Sequence, residues 1–245
     1  MTPSTQQASD LAECGWRFEI ITKPDGTTVE IQVPLTEEEF LHPQEGFHLP
    51  NSTFHDDAAG DAKDMLARRY ANDPTAAVFR DLIVKWDIPT LGDHCPDTCV
   101  VFGVSDKDRV RTEFLVSEEG TRPSLIIEVV SRRYRKQDRE TKVKQYAQAG
   151  VQEYIIIDQR TQRGQVIDEV LGYRLIERVY IPITPDEEGR ILCETVGVRI
   201  GLQNGQVVME DAQTGQKLLN SRELENRATR LAELLRAQGI DPDQV

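Results

Sequence analysis

Three apolar stretches decide the fold: residues 96–104 read PDTCVVFGV, residues 124–131 read SLIIEVVS, and residues 150–158 read GVQEYIIID. Each stretch has the length and composition of a buried strand, and the segment from about Asp138 to Ala149 has the pattern of a helix. Gly150 follows that helix at the position where glycine commonly ends one. This strand–helix–strand unit predicts two parallel strands in one sheet, joined by a right-handed crossover.

The second stretch carries one charge inside an apolar run. Glu128 is flanked by two isoleucines and two valines, and a buried carboxylate is costly unless it is paired or holds a metal. Asp97 begins the neighbouring candidate strand, so we expect the two carboxylates to lie close together. Metal-dependent phosphodiester cleavage needs oxygen ligands around a hard cation and a positive charge near the scissile phosphate. Lys142, on the following helix, is placed to supply that charge.

A structural interpretation stays open for each of these residues. Asp97 follows a proline and could simply begin a strand as a turn-forming residue. Glu128 could form a salt bridge with an arginine of residues 132–139. Lys142 could be a solvated surface residue on an amphipathic helix, and Tyr146, one turn later, is expected to pack rather than to react.

The rest of the chain is predicted to complete a mixed sheet and to add elements at both ends. A polar tail at residues 1–13 precedes a β-hairpin between Trp16 and Val33, whose turn contains Pro24 and Gly26. Thr36 and Glu39 fit a capping box. The further predicted helices and strands are a helix at Asp56–Tyr70, strands at Phe79–Trp86, Cys99–Val104, Gly164–Val170, Tyr173–Ile181 and Ile191–Ile200, a charged loop at 105–122, and a helix at Ser221–Gln238.

Composition limits the class of protein. The 245 residues, 38% of them hydrophobic, suffice for one α/β domain with peripheral additions or for two small domains. No apolar run approaches the roughly 20 residues that span a bilayer, and the N-terminus lacks the features of a secretory signal. We therefore expect a cytoplasmic protein with no membrane association.

The four cysteines are too few and too scattered for a disulfide framework. His94, Cys95 and Cys99, with Cys193 far along the chain, match no standard zinc spacing. Free cysteine is commonly a small buried apolar residue, and we expect that role here.

The net charge of −13 argues against a general nucleic-acid binder. One segment is an exception, because seven lysines and arginines lie between residues 132 and 144. This basic segment follows Glu128 directly and could contact a phosphate backbone beside the site. A solvated helix face that pairs with nearby acids is the equally weighted alternative.

Several motifs together resemble a known family. Pro96-Asp97, the segment EVVS from Glu128, the segment DRETKVKQY from Asp138, and GVQEYIIID from Gly150 are similar to the Uma family of the PD-(D/E)XK nuclease superfamily. The resemblance covers roughly residues 79–175. It implies a restriction-endonuclease-like core in which Asp97 and Glu128 are Mg²⁺ ligands. The superfamily's lysine stands two residues after the second acid, where this chain has Val130.

In related proteins that lack that lysine, one from the adjacent helix often replaces it, and Lys142 matches the family's helix lysine. Asp81, in the preceding predicted strand, is a further acidic candidate. The predicted fold is α/β, with a restriction-endonuclease-like mixed β-sheet core flanked by helices, an N-terminal β-hairpin and a C-terminal helix. We divide the chain into a tail and hairpin extension at 1–35, a restriction-endonuclease-like domain at 36–205, and a C-terminal extension with an amphipathic helix at 206–245.

The first functional hypothesis is a Mg²⁺-dependent DNA endonuclease, with Mn²⁺ as a possible substitute metal and Asp97, Glu128 and Lys142 as catalytic residues. The second is a non-catalytic nucleic-acid-binding or protein-interaction module on the same fold, supported by the net charge and by Val130. A third is a metal-dependent hydrolase of a smaller phosphoester. Leu224, Ala228, Leu231 and Leu235 form a short heptad seam, which could join a homodimer or pack on the chain's own domain.

Overall fold

The computed structural model describes residues 11–242. The predicted polar tail at residues 1–13 lies outside this range, except for residues 11–13, which belong to a helical turn. The strands are β1 (Trp16–Thr22), β2 (Thr28–Pro34), β3 (Ala76–Phe79), β4 (Ile83–Lys85), β5 (Thr98–Phe102), β6 (Glu113–Leu115), β7 (Pro123–Val129), β8 (Glu153–Gln162), β9 (Gln165–Ile176), β10 (Val179–Pro182), β11 (Ile191–Cys193), β12 (Val198–Gln203), β13 (Gln206–Asp211) and β14 (Lys217–Leu218). The helices are α1 (Glu37–Leu41), α2 (Thr53–Arg69), α3 (Val116–Glu119), α4 (Lys142–Ala149) and α5 (Ser221–Ala237).

A six-stranded sheet in the order β10-β9-β8-β7-β5-β3 forms the centre of the molecule. Strands β7 and β8 are parallel, as the strand–helix–strand pattern predicts, and the other neighbours in the sheet are antiparallel. The crossover from β7 to β8 passes through a π-helical turn at Gln137–Thr141 and then through α4. The predicted α/β class with a mixed sheet is confirmed.

Apolar side chains alternate between the two faces of this sheet, and both faces are buried. Leu125 and Ile127 of β7 point into a core shared with α2, whereas Ile126 points into a second core that contains Tyr146 of α4. Side chains at alternate positions of a strand lie on opposite faces. Glu128 therefore lies on the same face as Ile126, which is the face that α4 covers.

A second, four-stranded sheet in the order β11-β12-β13-β14 corrects the prediction for residues 191–200. That segment is not one strand of the central sheet, because β11 and β12 pair with each other as an antiparallel hairpin. The segments predicted at Gly164–Val170 and Tyr173–Ile181 also differ, since β9 runs without interruption from Gln165 to Ile176. The second sheet packs on the α2 side of the central sheet.

The predicted strand Phe79–Trp86 is wrong, because the chain turns within it. Asp81 has φ 51°, in the left-handed region, so β3 ends at Phe79 and β4 begins at Ile83. Strand β4 leaves the central sheet and pairs in parallel with β6. The segment 105–122 is likewise not wholly a loop, since it contains β6 and α3.

Both ends of the chain carry the predicted additions. The β1–β2 hairpin forms, and Thr36 and Glu39 make the capping box that begins α1. Helix α5 forms where predicted, but none of its residues is buried. The predicted domain boundary at residue 205 falls in the turn between β12 and β13, so the C-terminal extension supplies two strands of the second sheet. No helix among the described residues is long and apolar enough to cross a membrane.

Candidate active site

The pairing of β5 with β7 brings the two predicted carboxylates to the same place. Thr98 lies opposite Ile127 in this antiparallel pair, so the next residues outward, Asp97 and Glu128, face each other across the strands. The backbone N–H of Val129 donates to Oδ2 of Asp97 over 2.6 Å. Both carboxylates are nearly inaccessible, with 6% of Asp97 and 2% of Glu128 exposed.

Glu128 is held by two side chains of the crossover helix. The ammonium of Lys142 lies 3.0 Å from Oε2 of Glu128 and 2.9 Å from Oδ1 of Asp138. The hydroxyl of Tyr146 donates to Oε1 of Glu128 over 2.5 Å. Lys142 is therefore buried between two carboxylates, and the surface interpretation of this residue is wrong. The arginine partner proposed for Glu128 is also wrong, since its partners are Lys142 and Tyr146.

The π-helical turn places Asp138 and Lys142 on the site side of the crossover. The two residues are four positions apart, and such turns are frequent at functional sites. The ring of Phe40 from α1 covers the ammonium, with Nζ 4.9 Å from the ring centre. Phe40 is itself stacked on Tyr134 at 3.9 Å between ring centres. The N-terminal part of the chain thus helps to bury the lysine.

Burial and neighbouring charges move the pKa values of these groups in different directions. Burial raises the pKa of Glu128 to about 8, and Lys142 only partly opposes this effect. Burial also raises the pKa of Asp138. Burial alone would lower the pKa of Lys142, but Asp138 and Glu128 outweigh it and raise that pKa. Lys142 therefore remains an ammonium, which can donate hydrogen bonds but has no acceptor for a proton.

Asp97 has a second partner that the sequence did not indicate. Nε2 of His55, in the first turn of α2, lies 3.1 Å from Oδ2 of Asp97. Burial would raise the pKa of Asp97, but His55 and Lys142 outweigh it and lower that pKa. In turn, burial would lower the pKa of His55, but Asp97 outweighs it and raises that pKa. His55 and Asp97 therefore stabilise each other's charged forms.

These side chains line one cavity of about 390 Å³. Three residues of its lining, His55, Arg80 and Asp138, each have a buried polar atom with no hydrogen-bond partner among the described residues, namely Nδ1, Nε and Oδ2 respectively. Buried polar atoms without a partner are uncommon and often mark a catalytic group or a bound ligand. Asp81 stands at the rim of the cavity with 56% of its side chain exposed, and its charge is paired with Arg80 at 3.2 Å.

Part of the predicted basic segment is neutralised by ion pairs. Arg135 and Arg139 lie 2.7 and 2.8 Å from Oδ2 of Asp158. Arg139 also pairs with Glu169 at 2.8 Å. Two cysteines of the zinc alternative, Cys99 and Cys193, lie apart because they belong to different cores. His94 accepts from the indole of Trp86 over 2.8 Å.

The donor set suits a hard cation only in part. Among residues 11–242 there is no group of three or more His, Cys, Asp or Glu side chains arranged to hold a metal ion. Mg²⁺, however, is usually bound by only one or two carboxylates together with waters and substrate phosphates. Asp97 makes both of its contacts through Oδ2, and Asp138 adds an unpartnered oxygen to the same cavity. The residues are thus compatible with a cation bound by two carboxylates.

Residues 47–204 match the Uma2 family, which is described as "Putative restriction endonuclease". The chain belongs to the Uma2 family. The resemblance drawn from the sequence motifs is therefore confirmed, and the matched range contains all of the cavity's buried acids. This membership supports a nuclease-like function for the Uma2 chain without specifying its metal or its substrate.

Two further comparisons add little to the family assignment. The Uma2 chain is similar to a crystal structure of a putative nuclease belonging to DUF820 from Anabaena variabilis ATCC 29413. The identity is 14% and the TM-score 0.46, over 66% of this chain and 91% of that one. A comparison with curated proteins finds no match.

Sequence reasoning missed two residues of this site. Asp138 was part of a motif but was given no role, although its spacing from Lys142 is typical of a helical ion pair. No sequence signal singled out His55, because its contact with Asp97 joins residues 42 positions apart in elements with no shared pattern.

Proposed function

We propose that this chain is a divalent-metal-dependent nuclease that hydrolyses phosphodiester bonds in DNA, with Mg²⁺ as its metal. The observation that carries the proposal is the meeting of Asp97, Glu128 and Lys142 in one buried cavity, within a chain of the Uma2 family. Two carboxylates can bind a divalent cation, and an ammonium beside them can stabilise charge on a phosphate.

In this proposal Asp97 and Glu128 would hold the metal, and Glu128 would exchange its contact with Lys142 or Tyr146 for the cation. A bound divalent cation would polarise the scissile phosphate and lower the pKa of the attacking water. Lys142 donates hydrogen bonds to the charge that develops on the phosphate oxygens, because its own raised pKa keeps it protonated. Tyr146 and Asp138 hold Glu128 and Lys142 in position, so the site is preorganised before substrate arrives.

The test uses Asp97→Asn and Glu128→Gln, with Glu187→Gln as a control at an exposed acid of the same charge. Supercoiled plasmid and single-stranded DNA are incubated with each protein and Mg²⁺ or Mn²⁺, and products are followed on gels. We expect wild-type and Glu187→Gln proteins to cleave, and both site variants to lose at least about a hundredfold in rate. Cleavage that persists in both site variants would show that the chemistry occurs elsewhere.

A non-catalytic nucleic-acid-binding module is the second candidate. The absence of a ready three-ligand metal cluster among the described residues favours it, and Lys142 already forms ion pairs with Glu128 and Asp138. This candidate predicts that wild-type protein binds DNA but does not cleave it. Titration with Mg²⁺ would then leave the melting temperature unchanged, whereas a metal that binds only the native state must raise it.

A further inference from the structure

Arg132 is the arginine of the basic segment that the fold leaves beside the candidate site. Arg135 and Arg139 are bound to Asp158, and Lys142 is buried among carboxylates. Arg132 and its neighbour Arg133 are both exposed. Only the first of these two lines a cavity that adjoins the site.

That second cavity has a volume of about 380 Å³. It shares part of its wall with the first cavity, because Pro50, Asn51, His55 and Ser131 line both. Its remaining wall includes Arg132, the first turn of α2 and the carboxamide-bearing Gln159. Glu13 is the acidic residue among those that line it. The two cavities are therefore adjacent, and His55 is one of the residues that they share.

The lining of the second cavity offers polar groups for a phosphate and apolar side chains, including Phe54 and Val130, for a base. Arg132 offers a guanidinium that can bind a phosphate with two hydrogen bonds. Asn51, Ser131 and Gln159 add side chains that can donate and accept hydrogen bonds. The 17-residue helix α2 presents its positive end to this cavity, which adds to the attraction for an anion.

His55 stands where the two cavities meet. Its Nε2 lies 3.1 Å from Oδ2 of Asp97, its buried Nδ1 has no partner among the described residues, and the residue lines both cavities. A phosphodiester chain whose scissile phosphate lies at Asp97 and Glu128 must continue beyond the first cavity. The second cavity is a space next to the first, since four residues line both.

We propose that the second cavity is the subsite for the nucleotide next to the scissile phosphodiester, and that Arg132 binds the phosphate of that nucleotide. This inference rests on the proposed nuclease function and deepens it, because it assigns a subsite and a phosphate-binding residue for the DNA strand beside the scissile bond. A small diester would fill only the first cavity and would not contact Arg132.

The test compares Arg132→Gln with the matched control Arg133→Gln. The two variants remove the same charge from adjacent exposed positions, but only Arg132 lines the second cavity. Two substrates are used with Mg²⁺ or Mn²⁺: a single-stranded oligonucleotide and bis(4-nitrophenyl) phosphate. We expect Arg132→Gln to raise KM for the oligonucleotide about tenfold and to leave kcat/KM for the small diester within about twofold of wild type. Arg133→Gln should change neither substrate by more than about twofold.

Equal effects of the two variants on the oligonucleotide would overturn the subsite, since they would reflect net charge alone. A parallel loss on the small diester would also overturn it, because Arg132 would then act at the reacting centre.

A binding measurement separates this inference from the proposed function. If wild-type protein hydrolyses neither substrate, the nuclease proposal fails, but binding of a fluorescent oligonucleotide in EDTA still tests the subsite. Removing one phosphate contact should lower the slope of log Kd against log salt by about 0.7 for a single strand. We expect this change in Arg132→Gln and not in Arg133→Gln, and identical slopes would overturn the proposal.

Discussion

Replacing Lys142 by methionine should destabilise the chain strongly. Lys142 is 5% exposed, and its ammonium lies within 3.0 Å of both Glu128 and Asp138. Methionine fills a similar volume but leaves both carboxylates buried without a cation. Removing one partner of a buried ion pair typically costs about 3–5 kcal/mol. For a chain of this size that corresponds to a fall in melting temperature of about 6–20 °C.

The assay is thermal and urea unfolding in EDTA at a pH above the pKa of Glu128, which is about 8, with Lys144→Met as the control. Lys144 lies on the same helix but is exposed, so its replacement should change stability by no more than about 0.5 kcal/mol. The deficit of Lys142→Met should shrink as the pH falls, because protonation removes the uncompensated charge from the two carboxyl groups. Equal stability of the two variants would refute the reasoning, since it would mean that Glu128 and Asp138 do not depend on Lys142 for their charge.

Three further predictions concern stability. Because burial raises the pKa of Glu128 to about 8, above about 4.3 in an unfolded chain, the native state holds this proton more tightly. The free energy of unfolding of the wild-type protein should therefore fall relative to that of Glu128→Gln as the pH rises from about 4.3 to about 8. The fall is up to about 1.4 kcal/mol per pH unit. Urea unfolding in EDTA measures it, and a difference that stays constant with pH would contradict the prediction. A Cβ on Gly172 would lie 2.4 Å from Cγ2 of Ile191, so Gly172→Ala should cost about 1–3 kcal/mol, and an unchanged melting temperature would argue against tight packing of the two sheets. Glu153 is fully buried and accepts hydrogen bonds that link β8 to the second sheet. Glu153→Gln should therefore lower the free energy of unfolding, measured in urea, by about 1.5–3 kcal/mol. The control Glu187→Gln should lower it by no more than about 0.5 kcal/mol.

Local pattern was sufficient for much of the fold. The alternation of apolar residues and the position of Gly150 predicted β7, α4 and β8 and their parallel pairing, because a crossover of that length permits little else. The placement of two carboxylates at the start of β5 and near the end of β7 also followed from the sequence, since the extent of each apolar run indicates where its strand begins and ends. The capping box at Thr36 and the β1–β2 hairpin are equally local, and both form.

Contacts between distant residues could not be predicted in the same way. The break at Asp81 depends on a left-handed backbone conformation and on a hydrogen bond from its N–H to the carbonyl of Pro96. The separation of β11 and β12 from the central sheet depends on which apolar surface their hairpin packs against, and that surface is the core shared by α2 and the central sheet. A pattern of apolar residues specifies that a strand is buried but not which sheet it joins.

For the site, the sequence by itself determined that Glu128 needed a buried partner and that Asp97 and Lys142 were candidates for its surroundings. Only the tertiary structure decided that Lys142, rather than an arginine of the basic segment, is that partner, and that His55 is bound to Asp97. The physical reason is that burying the Glu128 carboxylate costs free energy that any nearby cation could offset. Which cation does so depends on the orientation of the crossover helix, on the π-helical turn before α4, and on the ring of Phe40 that covers the ammonium.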